Sequence, residues 1–213
     1  MRITEIYKSI QGESTYAGLP CTFVRTNRCD LRCAWCDSEF TFTGGVVMSV
    51  DEVLAEVERL GPGLVEITGG EPMLQKDVPE LARRLCDSGR TVLIETGGHH
   101  DVSPAALDPR VVRVMDVKCP GSGESERNRW ENLDHLRPSD EVKFVLASRE
   151  DYEWARDRIR RHRLEGRVTV LLSVAHGLVE AREVVAWMLE DALDARFQLQ
   201  MHKFIWQPET RGV

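Results

Sequence analysis

Short runs rich in Val, Ile, Leu and Thr recur along the chain, and most are separated by stretches whose apolar residues fall three or four apart. The runs predict strands at 3–9, 21–26, 64–68, 91–95, 111–117, 141–146, 168–172 and 196–201. The longer period predicts helices over 50–60, 78–88, 149–163 and 179–191. Punctuation agrees with these bounds. Ser49 with Glu52 three residues on forms a capping box, Gly61-Pro62-Gly63 stops the first helix, and Gly89 stops the second. Strands alternating with helices of about 10 to 15 residues indicate βαβ units and a parallel sheet. About six such strands in 213 residues are too few for a closed eight-stranded barrel, so the fold class is α/β, an incomplete (β/α) barrel. Neither repeat, low-complexity tract nor linker divides the chain, which reads as one domain, 1–213.

In such sheets ligands sit beyond the carboxyl ends of the strands. The polar and glycine-rich signals fall there: a cysteine loop after the second strand, then Thr68-Gly69-Gly70-Glu71-Pro72, Glu95-Thr96-Gly97, Asp116-Val117-Lys118 and Ser173. They are expected on one rim.

A net charge of -7 argues against a nucleic-acid footprint. The basic run Arg156 to Arg163 is broken by Asp157 and Ile159, as on a solvated helix face. The N-terminus lacks a charged-then-apolar leader and no apolar run reaches membrane-spanning length, so a soluble cytoplasmic protein acting on a small molecule is expected. Six cysteines in that setting point to metal or redox chemistry before disulfides. Cys21, Cys86 and Cys119 stand alone and are expected to pack.

Cys29, Cys33 and Cys36 are spaced C-x3-C-x2-C. Thiolates select soft metals and iron–sulfur clusters, and three leave one iron of a four-iron cluster open to another ligand. A structural zinc site completed by a remote Cys or His is the competing reading of the triplet.

The triplet, with Gly69-Gly70-Glu71-Pro72, resembles the radical S-adenosylmethionine superfamily. Ser9-Ile10-Gln11-Gly12-Glu13, Phe23-Val24-Arg25-Thr26, Cys33-Ala34-Trp35-Cys36-Asp37, Ile67 to Gln75, Asp116 to Gly123 and His202-Lys203-Phe204-Ile205-Trp206 narrow the resemblance to the 7-carboxy-7-deazaguanine synthase family. The resemblance spans residues 9 to 206. It implies a lyase that converts 6-carboxy-5,6,7,8-tetrahydropterin to 7-carboxy-7-deazaguanine and ammonia by a radical ring contraction. S-adenosylmethionine would be used catalytically, on the way to queuosine and related deazapurines. A flavodoxin- or ferredoxin-like electron donor and a homodimer are implied with it.

The implied roles fall as follows. Cys29, Cys33 and Cys36 hold a [4Fe–4S] cluster, and Trp35, Cys36, Asp37, Gly70, Glu71, Asp116, Val117, Lys118 and Ser173 bind S-adenosylmethionine, Ser173 by position alone. Ile10, Gln11, Gly12, Glu13, Arg25, Thr68 and Pro208 bind substrate, with Gln11 and Glu13 reading the pyrimidine edge and Arg25 gripping the carboxylate. Ser38, where relatives more often have Thr, is the protein ligand to Mg2+. No catalytic side chain is assigned, because the radical forms on the cofactor. Ser14 stands where Gly is more usual, Gly97-Gly98 lacks the commoner Asn, and the chain continues past Pro208. The alternatives are a glycyl-radical activase, which shares the triplet but not Ile10-Gln11-Gly12-Glu13, and a zinc-stapled binding module.

Overall fold

The computed structural model describes residues 1–103, 106–207 and 210–213. Its strands are β1 (Arg2–Ile10), β2 (Pro20–Thr26), β3 (Val46–Val47), β4 (Leu64–Gly69), β5 (Thr91–Thr96), β6 (Val112–Val117), β7 (Glu141–Leu146), β8 (Thr169–Val174) and β9 (Arg196–Phe197). They form one sheet in the order β3-β1-β2-β4-β5-β6-β7-β8-β9. From β2 through β9 every neighbouring pair is parallel; β1 runs antiparallel to β2 and to β3. The full-length parallel strands are six, β2 and β4 to β8, as the apolar runs indicate. The sheet ends at β3 and β9 without closing.

Helices α1 (Val50–Leu60), α2 (Val78–Asp87), α3 (Arg149–Arg161) and α4 (Ala181–Glu190) cover the outer face of the sheet. The Ser49–Glu52 capping box forms as its spacing predicts. A short α5 (His202–Ile205) lies near the C-terminus. Among the described residues no helix is long and apolar enough to cross a membrane.

Strand alternation sorts the residues. Val24, Val65, Ile67, Val92, Ile94, Met115, Val117, Phe144 and Leu172 point outward and pack with Leu81, Leu85, Tyr152 and Val184 in the main core. Each such aliphatic contributes about 1.5–3 kcal/mol by leaving water. The intervening residues point inward. Cys21, Phe23, Leu64, Leu93 and Val112 form a small apolar floor with Tyr7 and Tyr16. Along the same inward rows, nearer the carboxyl ends, the chain places Arg25, Glu66, Thr68, Glu95, Asp116 and Lys143. Cys21, Cys86 and Cys119 are buried, as expected of packing cysteines.

The departures lie at the chain's ends and edges. The expected strand 196–201 stops at Phe197, where Gln198 N–H still donates to the Leu172 carbonyl (2.9 Å) before the chain turns to dock Met201 N–H on the Gly12 carbonyl (2.9 Å). The third helix ends at Arg161 rather than 163, because Arg163 takes a left-handed φ of 51°. The edge pair Val46–Val47 was too short to show a period.

Candidate active site

A cavity of about 760 Å³ opens at the carboxyl ends of the parallel strands. It is lined by Cys29, Cys33, Trp35, Cys36, Asp37 and Ser38 from the loop after β2. Thr68, Gly70, Glu71, Asp116 and Lys118 come from the next strand ends, and Ile10, Gln11, Gly12, Glu13 and Arg25 from β1, β2 and the loop between them. One hollow thus gathers nearly every residue singled out by sequence.

The cysteine loop is held from both sides. Gly70 packs so tightly that a Cβ would overlap the Arg28 carbonyl, and Glu71 N–H donates to that same carbonyl (2.8 Å). Asp30 receives His99 Nε2 at 2.6 Å and Arg127 Nη2 at 3.0 Å, and Ala34 N–H donates to the Ser122 carbonyl at 3.0 Å. The three thiols are unbridged and half-buried. Burial pushes each of them up, Cys33 to about 11 although Lys118 opposes it. A bound cation would offset that burial cost and hold them as thiolates.

The donor set fits a cluster better than a single ion. Among the described residues, the three sulfurs do not all lie within 4.8 Å of one another, whereas Asp30, His99 and His100 present ligand atoms that do. A tetrahedral zinc with Zn–S near ~2.3 Å draws its sulfurs to roughly 3.8 Å apart. The remaining cysteines, Cys21, Cys86 and Cys119, do not line the cavity and so cannot complete a zinc site.

Glu71 is fully buried and accepts from Met73 N–H (2.9 Å), the Thr96 hydroxyl (2.7 Å) and Gly97 N–H (2.8 Å). It ties the ends of β4 and β5 together as well as facing the cavity. Lys118 pairs with Asp116 at 2.8 Å, and although burial works against it, that carboxylate raises its pKa.

Two expected cofactor residues do not line the cavity. Val117 faces the outer core by strand alternation and is 3% exposed, so its side chain is excluded. Ser173 is on the inward row opposite Val145, but it is buried, with an unpartnered Oγ, behind the lining. Pro208 lies outside the described residues. Beyond it, Thr210 to Val213 return to line the cavity mouth, with the Arg211 guanidinium 4.0 Å from the Phe40 ring centre.

The opposite wall is a charged network. Arg25 donates to Glu5 Oε1 and the Tyr7 hydroxyl, each at 2.8 Å. Gln11 Oε1 accepts from Glu13 N–H at 2.8 Å. Lys143 bridges Glu13 (3.0 Å) and Glu95. Burial works against the ammonium, but Glu13 and Glu95 hold its pKa up. Gly12 lies against His202, where a Cβ would come within 2.5 Å of Nδ1. Asp37 accepts from the Ser38 hydroxyl and Lys203 Nζ, both at 3.0 Å; against the effect of burial, Lys203 draws its carboxyl down to about 2.

Glu66 and Lys143 are site residues that the sequence reading does not single out, and Glu95 is placed on the rim there without a role. Their signal was nonetheless present: each is a charged residue inside an apolar strand run, Leu64-Val65-Glu66, Leu93-Ile94-Glu95 and Val142-Lys143-Phe144. A buried charge needs a partner, so three on strands β4, β5 and β7, all facing the inner side of one sheet, imply a shared site.

Residues 23–116 match the Radical SAM superfamily. Over its full length the chain is 52% identical to a 7-carboxy-7-deazaguanine synthase of Koribacter versatilis, covering all of that protein. It is 41% identical to the synthase of Chlorobaculum tepidum, covering 100% of this chain and 97% of the other. The fold resembles the crystal structure of QueE from Escherichia coli, with a TM-score of 0.77, 23% identity and 94% of each chain covered. It also resembles, over 83% of this chain and 45% of the other, Streptococcus suis SuiB bound to S-adenosylmethionine (TM-score 0.56, 12% identity).

Proposed function

The chain belongs to the 7-carboxy-7-deazaguanine synthase family of radical S-adenosylmethionine lyases, and from that premise we propose how its cavity divides the work. The substrate is 6-carboxy-5,6,7,8-tetrahydropterin, and the products are 7-carboxy-7-deazaguanine and ammonia. The observation that carries this reading is that a single cavity joins three open-sided thiols to a wall of hydrogen-bonding groups suited to a pterin.

Cys29, Cys33 and Cys36 hold the [4Fe–4S] cluster. Gly70, Glu71, Asp116, Lys118 and Trp35 surround S-adenosylmethionine. Together the two groups supply reversible hydrogen-atom abstraction. The remaining task of the chain is to hold one C–H bond of the substrate in reach and to keep water away. Arg25 is fixed by Glu5 and Tyr7, so its planar fork is pre-oriented toward the substrate carboxylate. Thr68 and the 10–13 segment contact the ring, and Phe23 and Tyr7 give it an apolar floor. Ser38 offers a hydroxyl oxygen to Mg2+, suited to an ion that keeps most of its waters and binds few protein groups. Asp37, already held by Lys203, orients that hydroxyl rather than ligating. A flavodoxin- or ferredoxin-like donor supplies the electron, and the working form is a homodimer.

The test is anaerobic turnover of reconstituted protein with the carboxytetrahydropterin, S-adenosylmethionine and reductant, read by product mass. Formation of carboxydeazaguanine is expected. If S-adenosylmethionine is cleaved while the pterin stays intact, the assignment fails and the activase reading takes its place.

A further inference from the structure

The carboxylates of the cavity are not equivalent. Glu5 is taken by Arg25, Asp37 by Lys203 and Asp116 by Lys118. Glu13 uses both oxygens, Oε2 on Lys143 (3.0 Å) and Oε1 accepting from Gln200 Nε2 (2.9 Å). Glu95 does likewise, with Oε1 on Lys143 and Oε2 accepting from the Thr68 hydroxyl (3.2 Å).

Glu66 differs from them. It is only 4% exposed and forms no ion pair among the described residues. Its Oε2 accepts from Gln11 Nε2, and no described group donates to Oε1. The Gln11 amide is itself locked, because its oxygen accepts from Glu13 N–H and its nitrogen must then face Glu66. Gln11 and Glu13 therefore have their hydrogen-bonding capacity turned toward the protein. Among the described residues Glu5 Oε2 and Asp116 Oδ1 are also without a donor, but each of those carboxylates is ion-paired; Glu66 has an oxygen open to the cavity and no cation paired with it. Its neighbour in register on β2, Phe23, lines the cavity, and Tyr7, also in the lining, stacks on Phe23 with ring centres 5.0 Å apart; Leu93, its neighbour on β5, is buried beneath them. A flat heterocycle resting there would turn its edge to Glu66.

We propose that Glu66, held in place by Gln11, reads the N–H edge of the substrate's 2-amino-4-oxopyrimidine ring, and so selects an amino-bearing pterin over its 2-oxo counterpart. This rests on the pterin assignment above and shifts edge recognition from Gln11 and Glu13 to Glu66. Chemistry agrees with geometry. Burial, and the nearby Glu95 and Glu13, hold the Glu66 carboxyl well above the ordinary range, partly offset by Lys143 and Arg25. Such a group keeps its proton until a ligand N–H gives it reason to ionise. An open carboxylate in a buried site also penalises a ligand that lacks the matching donor.

The experiment compares wild type with Glu66→Gln on two substrates, the carboxytetrahydropterin and its 2-oxo analogue. Iron content, cluster absorbance and the S-adenosylmethionine Kd are measured alongside. The wild type is expected to prefer the amino compound. Glu66→Gln should raise the KM for the pterin about 10- to 100-fold with a smaller fall in kcat, and cut the preference by a similar factor. Cluster absorbance and cofactor Kd should not move. Glu66→Asp keeps the charge but withdraws it by one methylene, and should recover part of the preference. Unchanged KM and unchanged preference in Glu66→Gln, with the wild type active, overturn the inference alone. Should Glu66→Gln not fold, the same result in Glu66→Asp overturns it. A wild type that neither binds nor converts the pterin overturns both this inference and the reading beneath it.

Discussion

Two buried cations sit on adjacent strands of the sheet and do opposite things. Arg113 on β6 points outward and is fully buried. It donates through Nε to the Val102 carbonyl (2.8 Å) and through Nη1 to Asp140 (3.3 Å), and burial lowers its pKa. Asp140 also accepts from Arg113 N–H, Arg137 N–H and the Arg137 guanidinium, so this is one acid shared by two bases. Lys143 on β7 points inward and is one base shared by two acids, Glu13 and Glu95, with Glu66 beyond them. The outer cluster, with its bases in excess, anchors loop carbonyls: Val102 to Arg113, and Val111 to Arg137 at 2.6 Å. The inner cluster has acids in excess and opens on a cavity. Burial of charge alone does not mark a functional site; a surplus of one sign facing an open volume does.

Removing each cation should separate the two roles. Lys143→Met leaves Glu13 and Glu95 buried without their base and should cost about 3–5 kcal/mol of stability, with product formation abolished. Arg113→Met leaves Asp140 still paired with Arg137, so the loss should be about 1–3 kcal/mol, with kcat/KM unchanged in the folded fraction. Chemical denaturation and steady-state assay measure both. If Arg113→Met loses activity while fully folded, the outer cluster is more than an anchor.

The sign of the inner surplus also sets a pH dependence. Glu66 has a folded pKa raised above the ordinary 4.5, so the native state binds a proton there that the unfolded chain has lost. Its contribution is fully present below 4.5 and disappears as pH rises through the folded value. The melting temperature of the wild type should therefore contain a falling component above pH 4.5. Glu66→Gln, which cannot ionise, should flatten that component. Identical pH profiles for the two proteins would mean that Glu66 is ionised in the native state as well.

This contrast also explains what the sequence made legible. The outer face follows from periodicity, since helix and strand lengths come directly from the spacing of Val, Leu and Ile. The thiol triplet and Gly69-Gly70-Glu71-Pro72 could be read because their chemistry resides in residues close along the chain. The inner network could not be read in the same way. Glu66, Glu95 and Lys143 meet only through the register of three strands, and which carboxylate is left open depends on single hydrogen bonds from Gln11, Gln200 and Thr68. Val117, implied by the resemblance, and Ser173, placed by position alone, do not line the cavity, because alternation turns the Val117 side chain outward and Ser173 is buried.

The smallest effect concerns the loop that carries Gln11 and Glu13. Ser14 has a left-handed φ of 63°, which a Cβ disfavours by about 1–2 kcal/mol, and this is the physical sense of the Gly more usual there. Ser14 recovers part of that cost: its Oγ accepts from Tyr16 N–H (3.1 Å), and its own N–H donates to Gln198 Oε1 (2.7 Å). Ser14→Gly relieves the strain and loses the Oγ bond, so its stability should stay within about 0.5 kcal/mol of wild type. Ser14→Ala keeps the strain and loses the same bond, and should cost about 1 kcal/mol. Equal losses in the two variants would mean that backbone strain at this position contributes nothing. In that case the edge-reading loop would be held by its contacts with Gln198 and Met201 alone, which ties it to the C-terminal segment rather than to its own sequence.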